Sequence, residues 1–144
     1  MTAKPSSPAA APSAGADNNK ALLWTGRILS VVPALMLLFS ATMKLMHHPK
    51  VVEGFGKFGY AEGAIAVIGV TEVVCTLLYA IPQTSILGAI LLTGYLGGAV
   101  ATHVRIGDAF AAPLILGVLL WAGLFLRDSR LRALLPLRRL PEGG

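Results

Sequence analysis

Residues 61–81 read AEGAIAVIGVTEVVCTLLYAI, and the glutamate at position 72 inside that run governs how the rest of the chain is read. As a helix the stretch is long enough to cross a bilayer, which needs roughly 17–25 apolar residues. Glu72 then lies near the middle of the membrane. A charge at that depth costs about 2.5–3.5 kcal/mol even on lenient insertion scales, so it must face the inside of a helix bundle and find a partner, or be protonated.

Three more apolar runs flank this one: Ala21 to Met46, Ser85 to Thr102 and Phe110 to Leu126. The chain is 55% hydrophobic and 13% charged, with a mean hydropathy of +0.71, and these long runs account for that excess. Each is near bilayer length, the last at the short end. The expected fold is therefore all-α, an integral membrane four-helix bundle. Residues 1–20, rich in Ala, Pro and Ser, are expected to be a disordered cytoplasmic tail, residues 21–130 the four-span domain, and residues 131–144 a basic cytoplasmic tail. The first apolar run is too long for the apolar core of a signal peptide, so it is assigned as the first span.

The net charge of +5 does not point to nucleic acid, because the positive residues sit beside the apolar runs and no soluble module is left to carry a binding face. Lys4, Lys20 and Arg27 precede or open the first span, and Arg127, Arg130, Arg132, Arg138 and Arg139 follow the last. An even number of spans puts both termini on one side, and the positive-inside rule makes that side cytoplasmic. The loops around Lys50–Lys57 and Arg105–Asp108 then face outward. Residues 131–140, where arginines alternate with Leu and Pro, are expected either to attract anionic lipid or to serve only as the orientation signal.

Between the first two spans, residues 51–60 read VVEGFGKFGY, expected to form a short interfacial helix or turn where Phe and Tyr are comfortable. Pro33 is expected to kink the first span. The turn Pro82-Gln83-Thr84 is short enough to make the second and third spans antiparallel neighbours. In the third span, Gly94 and Gly98 have the Gly-x-x-x-Gly spacing that permits close helix approach, and a homo-oligomer through them is one expectation.

Polar residues gather in one half of the spans. Ser40 and Lys44 share a face of the first, Glu72 lies in the second, and Tyr95, Ala99 and His103 recur at i, i+4 in the third. In a simple bundle Lys44, Glu72, Tyr95 and His103 line one pocket opening outward. Three readings of that pocket remain open: a structural network that fixes helix register, a binding site for a small amphipathic molecule such as a quinone, and a path for ions or protons. Metal ligation is not expected, since Met43, Met46, His47 and His48 match no specific site. Cys75 is a lone thiol and cannot form an internal disulfide or a Cys-x-x-Cys centre, so it is read as an apolar filler. Nothing matches a nucleophile elbow or a phosphate loop.

Taken in order, FSATMKL (39–45), Gly54-Phe55 through Gly59-Tyr60, GVTE (69–72), YAIP (79–82), GAILLTGYLGGA (88–99) and THVR (102–105) resemble the DoxX-like family of small bacterial membrane proteins, over about residues 22–139. The resemblance implies a four-helix membrane bundle and kinship with DoxX and DoxD. DoxD-type chains are associated with a thiosulfate:quinone oxidoreductase, and DoxX-type chains with membrane redox complexes. Lys44, Glu72, Tyr95, His103 and Arg105 occupy the positions where that pattern places polar residues, which implies one shared pocket. A quinone is the cofactor so implied, and subunits of a redox complex the implied partners. The chain is expected to be an accessory subunit in the bacterial cytoplasmic membrane rather than an autonomous enzyme, because it offers no thiol pair for sulfur chemistry.

Overall fold

Six helices, and no strand among the described residues, make up the fold in a computed structural model that describes residues 14–134. They are α1 (Ala14–Leu45), α2 (Pro49–Lys57), α3 (Glu62–Ala80), α4 (Ser85–Arg105), α5 (Ala111–Arg127) and α6 (Ser129–Leu134). Three helical segments, Lys20–Leu45, Glu62–Ala80 and Ser85–Arg105, are long and apolar enough to cross a membrane, and α5 is a shorter apolar helix of 17 residues. Helix α1 begins at Ala14, within the segment expected to be a tail; residues 1–13 and 135–144 lie outside the described residues. It runs on as one helix through Pro33, which is buried against its neighbours.

The long helices close into a ring: α1 packs against α3 and α5, and α4 packs against the same two. The tight turn between α3 and α4 is held by Thr84, whose hydroxyl donates to the Leu78 carbonyl (2.8 Å), and by Ser85, which donates to that of Pro82 (3.1 Å). Leu37, Cys75, Ala89, Leu92, Leu96, Leu120 and Leu124 form the core inside the ring. Outward, the apolar pattern continues. Phe39 is 69% exposed and Val67 66%, and Ile90 and Val118 are exposed in the same way. A continuous apolar exterior of this extent suits acyl chains rather than water.

Three glycines let backbones touch. A Cβ at Gly88 would lie 2.2 Å from the Tyr79 nitrogen, one at Gly123 would lie 2.5 Å from Ser30 Oγ, and one at Gly26 would lie 2.8 Å from the Arg127 nitrogen. Gly94, Gly97 and Gly98 behave differently: a Cβ there meets nothing within 4 Å. The Gly-x-x-x-Gly spacing of α4 therefore meets no neighbour among the described residues, and Gly88, six residues before Gly94, makes the close approach to α3.

Candidate functional site

The polar site begins at Glu72, whose side chain is 2% exposed on the inward face of α3 with Ile65, Gly69, Cys75, Thr76 and Tyr79. Lys44 reaches across from α1 with a side chain that is 13% exposed and an ammonium 2.8 Å from Glu72 Oε2. The same ammonium donates to Ser40 Oγ at 2.6 Å, and that hydroxyl donates in turn to Glu72 Oε2 at 3.5 Å. Ser40 stands one helical turn before Lys44, which lets both act on one carboxylate oxygen. Gly69 clears the path for the lysine stem, since a Cβ there would lie 3.1 Å from Lys44 Cβ. An ion pair with a third hydrogen-bonding group meets the requirement that a buried charge be matched.

The pair borders a cavity of about 450 Å³. Tyr95 and His103 of α4 line the same cavity, with Met36, Leu37, Ile68 and Leu116 among its apolar walls. Four of the five residues singled out by sequence thus share one space. Arg105 does not line it: its guanidinium donates to the Phe58 carbonyl just past α2. Helix geometry explains the exception, because Arg105 is two residues beyond His103 and so about 200° around the helix.

The cavity is roofed by aromatic side chains from α2 and the loop after it. Phe55, Phe58 and Tyr60 line it and pack on one another, Phe55 lying edge-to-face 6.3 Å from Phe58 and tilted 5.6 Å from Tyr60 between ring centroids. Phe58 meets the His103 ring edge-to-face at 4.9 Å, and the Tyr60 hydroxyl shares a hydrogen bond of 2.9 Å with Thr102. His103 Nδ1 is buried without a hydrogen-bond partner; Asp108 Oδ2 approaches to 3.4 Å but outside bonding geometry. Sequence reading placed Ser40 on the polar stripe without its bridging role, and did not place the aromatic roof. The GFGKFGY spacing held the signal for the roof, but hydropathy does not say which way a short amphipathic helix docks.

The opposite end of the ring is polar too, but closed. The Tyr79 hydroxyl donates to the Leu120 carbonyl (2.8 Å) and shares a hydrogen bond with Ser30 (2.9 Å). Arg127 lies over the Tyr79 ring, 5.1 Å from its centroid, and donates to the Tyr79 carbonyl at 3.3 Å. Between the two ends, Thr76 donates to the backbone carbonyl of Glu72 (2.7 Å) rather than to its carboxylate. A larger recess of about 600 Å³ lies between α4 and α5, with Gly97, Leu114 and Val118 in its walls, and holds none of the charged residues of the site. No group of three or more His, Cys, Asp or Glu converges among the described residues.

A helical membrane protein with an ion pair facing an internal cavity is the class these features define. The sequence profile of the DoxX-like family matches residues 28–123, two thirds of the chain and all of the cavity's helical walls up to α5. The chain belongs to the DoxX-like family. No curated protein and no solved structure matches it.

Proposed function

We propose that the protein is a four-span bundle of the bacterial cytoplasmic membrane, with α1, α3, α4 and α5 as its spans, both termini cytoplasmic and α2 lying at the outer surface. The ring packing of these helices supports the bundle. Arg27, Arg127, Arg130 and Arg132 fall at the end of the spans away from α2, as the positive-inside rule requires of a cytoplasmic end. At 17 residues α5 is short for a span and crosses with local thinning or snorkelling of Arg127.

The cavity binds a small amphipathic molecule of the quinone class, and the chain serves as a ligand-binding or accessory subunit of a redox-linked membrane complex. One observation carries this reading: Lys44, Glu72, Tyr95 and His103, drawn from three helices, converge on a space of about 450 Å³ whose other walls are mostly apolar, with Ser40, Tyr60 and Thr102 as the polar exceptions. Pockets of roughly 300–1,000 Å³ with few convergent polar groups are the usual form of small-molecule sites. Donors on Lys44, Tyr95 and His103 suit carbonyl oxygens, and the apolar walls suit a ring and the start of a tail. A purely structural network needs no cavity beside it. A transport path needs polar groups that continue past Glu72, and Thr76 and Tyr79 direct their hydroxyls elsewhere.

Native mass spectrometry from mild detergent tests the reading directly. Wild-type protein is expected to carry a bound quinone or similar lipid-soluble molecule that Glu72→Gln loses. A mass equal to the bare chain under conditions that preserve other lipid–protein complexes, or an adduct unchanged in Glu72→Gln, refutes it.

A further inference from the structure

The segment above the cavity is attached differently on its two sides. Helix α2 packs against α1 and α3 and makes no backbone-level contact with α4. It buries none of its residues. Toward α4 the contacts come from the segment just past its end: Arg105 donates to the Phe58 carbonyl, Tyr60 bonds Thr102, and the edge of Phe58 meets His103. Left-handed residues bracket it, His47 at φ 50° before and Gly59 at φ 76° after. Such a conformation is unusual for a non-glycine residue, and residues at element ends that can absorb large backbone changes are where hinges form.

We propose that α2 is a hinged lid over the cavity and that Arg105 is its latch. The hinge lies on the α1 side, at residues 46–48, with Ala61 as the joint to α3, and the free edge, Phe58 to Tyr60, meets α4. When the free edge lifts, Phe58 leaves His103, and that ring, whose buried Nδ1 lies 3.4 Å from Asp108 Oδ2 without a hydrogen bond, becomes reachable by an incoming molecule. This gives Arg105 a task although it does not line the cavity: it closes the roof from outside by binding a carbonyl that α2 leaves unpaired at its end. The ligand therefore enters from the surface where α2 lies, and its size is limited by the opening between α2 and α4 rather than by the helix ring. The inference builds on the reading of the cavity as a ligand site.

Thiol accessibility tests the lid without a ligand. In a Cys75→Ala background, Ala99→Cys places a reporter on the cavity wall, and a small charged methanethiosulfonate reports how often the roof opens. Adding Arg105→Ala with Thr102→Val removes the two hydrogen-bonded latch points. Labelling is expected to rise about tenfold or more, the equilibrium equivalent of losing one charge-assisted hydrogen bond. Hydrogen exchange read alongside it should speed up for α2 amides and stay unchanged in α3 and α4. An unchanged labelling rate overturns the proposal. So does faster exchange spread through α3 and α4, which makes these contacts supports of the fold rather than a latch. Since no ligand enters the experiment, an empty cavity in native mass spectrometry leaves its result standing on its own.

Discussion

The two ends of the helix ring bury similar groups and treat them in opposite ways. At the Arg127 end, Tyr79 closes its hydrogen bonds on Ser30 and Leu120, and Gly88 and Gly123 bring backbones into contact around it. At the α2 end, Lys44, Ser40 and Glu72 also satisfy one another, yet a cavity lies beside them with Tyr95 and His103 also in its walls. Polar satisfaction alone needs only the first arrangement. A cavity beside a satisfied ion pair is not something polar satisfaction requires, and on the reading proposed above that contrast separates a ligand site from a structural network.

The largest effect should come from stranding one charge at the open end. Lys44→Met leaves the Glu72 carboxylate without its cation, and is expected to destabilise the fold by about 3–5 kcal/mol. Adding Glu72→Leu should recover most of that loss, because the double variant buries no charge. Unfolding in mixed micelles with increasing denaturing detergent measures both. If the single variant is as stable as wild type, the ion pair is not held within the ring, and the contrast between the two ends fails with it.

At the closed end the expected penalty is steric and somewhat smaller. Gly88→Ala drives a methyl to 2.2 Å from the Tyr79 backbone, where no flexible side chain can give way, and should cost about 3 kcal/mol. Gly94→Ala meets open space in the chain itself and should gain up to about 1 kcal/mol from helix propensity. The same unfolding assay compares the two. Equal losses would mean that α4 presents its Gly94 face to a neighbour, which cross-linking of a second copy would reveal.

Apolar run length made the helices legible. The run at residues 61–81 becomes α3 (Glu62–Ala80) and the run from Ser85 becomes α4, because Pro82 and the short turn after it end one helix and start the next. Helical counting also brought Lys44, Glu72 and Tyr95 toward one end of the spans, and the cavity takes in all three. Rotation was harder. The i, i+4 spacing from Tyr95 to His103 puts both on one face, while Arg105 was grouped with them by motif although its helical phase turns it toward α2. Glycine spacing does not show which glycines meet a neighbouring helix of the same chain, for a related reason. Gly94 and Gly98 fit a packing motif, but only the global placement of α3 makes Gly88 the residue that cannot carry a side chain.

The smallest effect concerns the lid and acid. Within α2, Lys57 lies 2.7 Å from Glu53 one turn away. The hydrogen bond and charge of Lys57 hold the Glu53 carboxyl below its ordinary value, and Glu53 with Asp108 raises the Lys57 ammonium above its own. A depressed carboxylate contributes stability that is full above its unfolded value and disappears as pH falls through its folded one. Both groups are exposed, so the pair acts on α2 alone and is screened by salt. Amide exchange in α2, corrected for the intrinsic pH dependence, should therefore quicken modestly as the pH drops below the usual carboxylate range, with α3 unaffected. Glu53→Gln should remove the dependence at low salt. If the dependence survives that substitution, the acid-sensitive contact lies elsewhere, and Asp108 beside His103 is the group to replace next.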